Sequence, residues 1–251
     1  MVKGGSAMSM PHTIADFWLP DDTEEDMVGA DWHQYAIDVL YDGARDVADL
    51  DHLPWHVGNQ LTLVGWTPRG VWRPSPDIAV YPTAGPELRK EMSVKEDGPP
   101  TLVVEVASPS TWAYDVNEVS GKAAGYLGVG VDYYLVFDPT SELLGTPCRG
   151  WRQTAGVTRD WRPEADGSYR CASLGIALRP EGIILRVIDR AGRPVPTREE
   201  RLEQLAAQAS RLAAQEKVNA AQEKANAAQA DEIAALREEI ARLRAQRPGP
   251  A

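Results

Sequence analysis

The spacing of apolar residues along this chain changes from helical to strand-like and, near the end, to a strict seven-residue repeat. Between Asp26 and Val47, Trp32, Tyr35, Ala36, Val39, Leu40 and Val47 recur at helical steps, which predicts one amphipathic helix, frayed near Gly43. Pro54 breaks the pattern. Strand-like runs follow at 60–66 and 71–72, with Thr67-Pro68-Arg69-Gly70 as the turn between them, and again at 77–81. Residues 87–100 are polar and punctuated by Gly and Pro, so a loop with one helical turn is expected there.

The central stretch is more regular. A strand at Thr101–Val106, a turn at Ser108-Pro109-Ser110, a helix over Val116–Leu127 and a strand at Tyr133–Phe137 follow in order. Strand, helix and strand over this length predict one right-handed crossover and a parallel strand pair. Short strands or hairpins are expected around 150–154, 169–174 and 183–188. The fold class is therefore α/β, or α+β with a mixed β-sheet flanked by helices.

Beyond Pro196 the period becomes seven. Placing Leu205, Leu212, Asn219, Asn226, Ile233 and Ile240 at position a puts Gln208, Gln215, Gln222, Gln229, Leu236 and Leu243 at d. This predicts a long C-terminal helix over 198–247 whose seam is apolar at both ends and polar in the middle. One reading is a solvated Ala-rich helix without a partner. The expectation is a self-associating coiled coil that makes the protein a homo-oligomer.

Composition narrows the class. Of the 251 residues, 43% are hydrophobic and 25% charged, as in an ordinary folded protein. The two cysteines, Cys148 and Cys171, have no metal-like spacing and suit a reducing compartment. The chain has no apolar run long enough to span a bilayer, and Met1–Pro20 has no continuous apolar core. No membrane contact and no signal peptide are expected, and the cytoplasm is the expected location. The net charge of −11 arises entirely before Pro196, since the remainder carries nine residues of each sign. That balance counts against a basic face gripping long duplex DNA. It does not count against metal-bridged chemistry.

The candidate chemistry lies between Pro76 and Pro139. Glu105 sits inside Leu102-Val103-Val104-Glu105-Val106, where a charge is costly unless it is paired or bound to a cation. Asp77 follows Pro76, and Lys122 stands alone on the predicted helix. Two carboxylates and a lysine are the minimum set for metal-dependent phosphodiester hydrolysis. The carboxylates suit a hard cation, and the lysine can orient water or stabilise developing charge. The same residues admit a structural reading, with Asp77 as a turn residue and Glu105 in a core ion pair with Lys122.

The wider wording supports the first reading. Pro76-Asp77-Ile78-Ala79-Val80, Leu102 through Ser110, Lys122 with Tyr126, and Gly130 through Pro139 together resemble the Uma-type restriction endonuclease family. That family lies within the PD-(D/E)XK nuclease superfamily; His33-Gln34 also matches its usual opening, and the resemblance runs over residues 26–190. It implies a restriction-endonuclease-like fold, Mg2+ or Mn2+ as cofactor, and a nucleic-acid substrate, DNA being the expected one. Carried over by position, Asp77 and Glu105 would be metal ligands, with the Val106 backbone carbonyl as a third. Lys122 would be the catalytic lysine. The superfamily's usual lysine stands two residues after the glutamate, where this chain has Ala107; the resembled family places it on the following helix.

The spacing from Asp115 to Lys122 is longer than in that family. Asp115 is read as the N-cap of the predicted helix, or, sharing a helix face with Lys122, as assisting the site. His33 is read as a packing or surface histidine, with a role in the site as the alternative. Tyr126 and Tyr134 are read as core packing, and Trp112 as packing or a lid, with stacking on a base as the alternative. Trp151 and Trp161 are read as surface hairpin packing, with a substrate-facing edge as the alternative. The expected organisation is a disordered segment 1–25, a nuclease-like domain 26–190, a linker 191–197 and the coiled-coil helix 198–247. The rival function is a silent nuclease-fold module that binds or regulates through its coiled coil. The acidic balance favours that rival, and the intact Asp77, Glu105 and Lys122 oppose it.

Overall fold

Helix α1 (Ala30–Leu50) opens the part of the chain that the computed structural model describes, residues 30–67 and 70–245. The segment 1–25, the predicted start of α1, the Pro68-Arg69 turn and residues 246–247 lie outside the described residues. Ala36, Ile37, Leu40, Ala44, Val47 and Ala48 form the buried stripe of α1. The expected fraying at Gly43 does not occur. A Cβ at Gly43 would stand 3.0 Å from Val187, so the glycine lets the helix pack closely on a neighbouring strand.

Strands β1 (His56–Asn59), β2 (Thr62–Thr67), β3 (Gly70–Trp72) and β4 (Ile78–Tyr81) come next. The stretch expected to be mainly loop contains β5 (Glu91–Ser93) and a single helical turn, α2 (Val94–Asp97). Strand β6 (Leu102–Val106) leads through α3 (Trp112–Asp115) and α4 (Lys122–Gly128) to β7 (Tyr133–Phe137). The rest of the first unit is β8 (Cys148–Thr154), β9 (Val157–Asp160), β10 (Tyr169–Cys171), β11 (Ile176–Glu181) and β12 (Ile184–Ile188). Strand β9 escapes sequence reading because all four of its residues are exposed and show no alternation. It forms because Ala155 and Gly156 both take positive φ (50° and 75°), the geometry of a two-residue hairpin turn.

Six strands make one mixed sheet in the order β1-β4-β6-β7-β8-β9. Its neighbours are antiparallel except β6 and β7, the parallel pair expected from the crossover. Smaller sheets, β3-β2-β5 and β10-β11-β12, cover it. Side chains alternate across the pleat. Ile78, Val80, Leu102, Val104, Val106, Leu135 and Phe137 face the core that includes α1, β11 and β12. Ala79, Tyr81, Val103, Tyr134 and Val136 face the other core, which holds Ala123 and Tyr126 of α4. The sheet is thus mixed and flanked by helices on both faces, in an α+β chain.

The predicted helix over 116–127 is a correction. Only its second half is helical, within α4; residues 116–121, which follow α3, are turns in which Asn117 Oδ1 accepts the backbone N–H groups of Val119 and Ser120, each at 2.9 Å. Asparagine competes with helical backbone bonding in this way, and a small residue, Gly121, follows. The chain divides between Thr197 and Arg198 into two units. The second is helix α5 (Arg198–Ala245), 48 residues without a glycine or proline.

Candidate active site

The pleat decides which side chains can meet. Ile78 pairs with Val104 across β4 and β6, so one step along the register sets Asp77 beside Glu105. Both then lie on the α4 side of the sheet, in phase with Ala79 and Val103. Asp77 is anchored by the Val106 N–H, which donates to Oδ2 at 2.8 Å.

Glu105 is held at both oxygens. The Tyr126 hydroxyl donates to Oε1 at 2.7 Å, and Lys122 Nζ stands 3.1 Å from Oε2. Lys122 is the first residue of α4 and Tyr126 stands one turn later, so both reach the sheet from one helix face. The Val106 carbonyl is 2.9 Å from His33 Nε2 on α1. His33 therefore touches the backbone beside the site, a contact that packing arguments did not foresee.

Asp115 is not an N-cap. It is the last residue of α3, 1% exposed, and its Oδ1 lies 2.9 Å from Lys122 Nζ. The ammonium is the counter-ion of Oδ1. Oδ2 accepts from Thr111 Oγ1 at 2.9 Å, and Ser108 Oγ lies 2.9 Å from the same hydroxyl. The Tyr134 hydroxyl donates to the Asp115 carbonyl at 2.9 Å. Shared helix face was the wrong reason to link Asp115 with Lys122, because they stand on different helices. The turn between them brings them together, and it absorbs the long spacing.

The charges do not balance. Lys122 pairs with two buried carboxylates, Glu105 and Asp115, and the partly buried Asp77 stands beside Glu105 without a contact to the ammonium. Burial pushes Asp77 up to about 6, against the Val106 N–H bond and the Lys122 charge. Burial likewise pushes Asp115 up to about 6 and raises Glu105, again opposed by Lys122. Burial works against the Lys122 charge, but attraction to Glu105 and Asp115 outweighs it and holds the amine above its usual range.

The tryptophans are placed more deeply than expected. Trp151 is buried and stacked on Tyr134 at 5.5 Å, while Trp161 is buried between Tyr133 and Tyr169. Neither forms a surface edge. Trp112 packs half-buried against the core around Tyr126. Tyr126 and Tyr134 do lie in the core, and each also spends its hydroxyl on a site residue.

Among the described residues, no group of three or more His, Cys, Asp or Glu side chains is arranged to hold a metal ion. The oxygen donors at hand are Asp77, Glu105 and the Val106 carbonyl, a set that suits a hard cation completed by water. No helix among the described residues is long and apolar enough to cross a membrane.

No curated protein matches the chain. Among solved structures, the chain is similar to a crystal structure described as a putative nuclease belonging to DUF820 from Anabaena variabilis ATCC 29413. The identity is 15%, the TM-score 0.40, and the match covers 55% of this chain and 71% of that one. The family model Uma2, described as "Putative restriction endonuclease", matches residues 22–173, more than half of the chain. The sequence around Asp77, Glu105 and Lys122 thus lies wholly inside the matched segment, and the chain belongs to the Uma2 family.

Proposed function

We propose that the protein is a metal-dependent endonuclease that hydrolyses nucleic-acid phosphodiester bonds, with DNA as the favoured substrate. The observation that carries this reading is the excess of carboxylate at Asp77, Glu105 and Asp115, of which Lys122 pairs with Glu105 and Asp115. Such an excess is expensive without a further cation. Asp77, Glu105 and the Val106 carbonyl would hold Mg2+ or Mn2+. Bound there, the metal would neutralise the phosphate and lower the pKa of an attacking water.

The chain's own residues have separate tasks. Tyr126 fixes Glu105 through Oε1, and the Val106 N–H fixes the Asp77 carboxylate. Lys122 keeps its proton, so it acts as a donor and positive charge toward the attacking water or the phosphate oxygens, and not as a base. Asp115 and Glu105 hold the ammonium from two sides.

A second reading, a silent nuclease-fold module acting through α5, is favoured by the net charge of −11. Nicking of supercoiled plasmid, with single-stranded DNA and RNA in parallel, separates the two. Cleavage that needs Mg2+ or Mn2+ and disappears in Asp77→Ala and Lys122→Ala supports the enzyme. Folded wild-type protein that cuts no more than either variant supports the binding module.

A further inference from the structure

We propose that α5 pairs with a second copy of this chain as a parallel, in-register, two-stranded coiled coil. Leu205, Leu212, Ile233, Leu236 and Ile240, all on the a/d seam, are 48–61% exposed in the single chain. Positions b and c opposite the seam are alanine from Ala206 to Ala235, a small, featureless face. The seam is therefore the surface with something to gain from a partner.

The flanking charges select the partner and its direction. In a parallel pair, each g residue faces the e residue five positions later on the other strand. Arg211 would then face Glu216, Glu232 would face Arg237, and Glu239 would face Arg244. Every charged g position meets an opposite charge, and symmetry repeats each pair. The remaining g positions Gln204, Val218 and Ala225 are neutral. Within one helix Glu239 already pairs with Arg242 at 2.6 Å, so Arg211–Glu216 and Glu232–Arg237 carry more of the choice.

The polar middle of the seam sets the register. Gln215 Nε2 donates to Asn219 Oδ1, and Gln222 Nε2 to Asn226 Oδ1, each at 2.9 Å. These d-to-a bonds order the amides along the seam and leave the asparagine N–H groups to reach across. Asparagine opposite asparagine at a is satisfied only in register, and it favours two strands. An antiparallel pair with full overlap would instead set Ile233 against Gln208, Leu212 against Gln229, and Glu216 beside Glu223.

The test uses the full chain. Sedimentation equilibrium should give twice the 27.5 kDa chain mass. The double variant Glu232→Lys/Glu239→Lys should dissociate at least about tenfold more readily, as should Arg237→Glu/Arg244→Glu, and an equimolar mixture should associate again. Oxidised Ile233→Cys should run as a covalent dimer while the wild type, whose Cys148 and Cys171 are buried, does not. In the antiparallel arrangement the introduced thiols would lie about 35–40 Å apart, at the helical rise per residue. A monomer at tens of micromolar, a trimer or tetramer, or no cross-link at position 233 would overturn the pairing.

Discussion

Asp115 and Lys122 stand on separate short helices and meet as an ion pair of 2.9 Å, beneath the strand that carries Glu105. Asp115 acts on the proposed site through Lys122, whose ammonium it pairs with. Asp115→Asn keeps the Thr111 contact but removes one of the two charges that position the ammonium. The variant should melt no lower than wild type near neutral pH, because a buried charge has gone. Its plasmid-nicking rate should still fall by about tenfold, consistent with loss of one positioning charge. An unchanged rate would remove Asp115 from the site.

Lys122→Ala tests the same cluster from the other side. It leaves Glu105 and Asp115 buried without a counter-ion, and breaking a buried pair in this way costs about 3–5 kcal/mol. Urea denaturation should show that loss near neutral pH. Much of it should return near pH 5, where the unpaired carboxylates take up protons. A loss independent of pH would point to packing and not to charge.

Asp77 gives a prediction of opposite sign. Its carboxyl is pushed up to about 6 in the fold, from an ordinary value of 3.8, chiefly by burial. Between about pH 4 and pH 6 the folded state keeps a proton that the unfolded chain has lost, so stability falls as pH rises through that window. Asp77→Asn removes the cost while still accepting the Val106 N–H. It should stabilise the protein near pH 7.5, by on the order of 2 kcal/mol, and the gain should shrink as pH falls, nearly vanishing near pH 3. Paired denaturation curves at the two pH values check this.

Divalent cations should act on the same carboxylates. Mg2+ or Mn2+ at about 100 times its dissociation constant should add roughly 2.7 kcal/mol to the folded state and raise Tm by several degrees. Asp77→Asn and Glu105→Gln should abolish the shift, read by differential scanning fluorimetry. A shift that survives in both would place the cation elsewhere.

Gly121 is the tightest point of the turn before Lys122. A Cβ there would run into the Tyr114 carbonyl oxygen and stand 2.6 Å from Asn117 Cβ. Since the first obstacle is backbone, the turn itself must move. Gly121→Ala should cost about 1–3 kcal/mol and reduce nicking together with stability. Gly128→Ala, where nothing lies within 4 Å, is the control and should do neither.

Much of this site was legible from the chain because it rests on local order. A glutamate in the middle of a run of apolar strand residues demands a cation whatever the fold, and Lys122 supplies one at 3.1 Å. The seven-residue repeat of α5 follows from helical geometry alone, as does the shared face of Lys122 and Tyr126. Helix α1 and the parallel pair β6 and β7 likewise follow from period and connection length.

Other features depend on distant parts of the chain, where no local period applies. Asp77 lies beside Glu105 only because the β4–β6 register aligns Ile78 with Val104; a one-residue slip would turn one of the two carboxylates to the opposite face. Asp115 reaches Lys122 only because Asn117 and Gly121 break the predicted helix and fold the chain back. His33 finds the Val106 carbonyl across 73 residues of sequence. The kinds of residue and their local periods are written in the chain, but the pairing of Glu105 and Asp115 with one ammonium, and the placing of Asp77 beside Glu105, are matters of turn geometry and register, which arise only when the sheet and its crossover have formed.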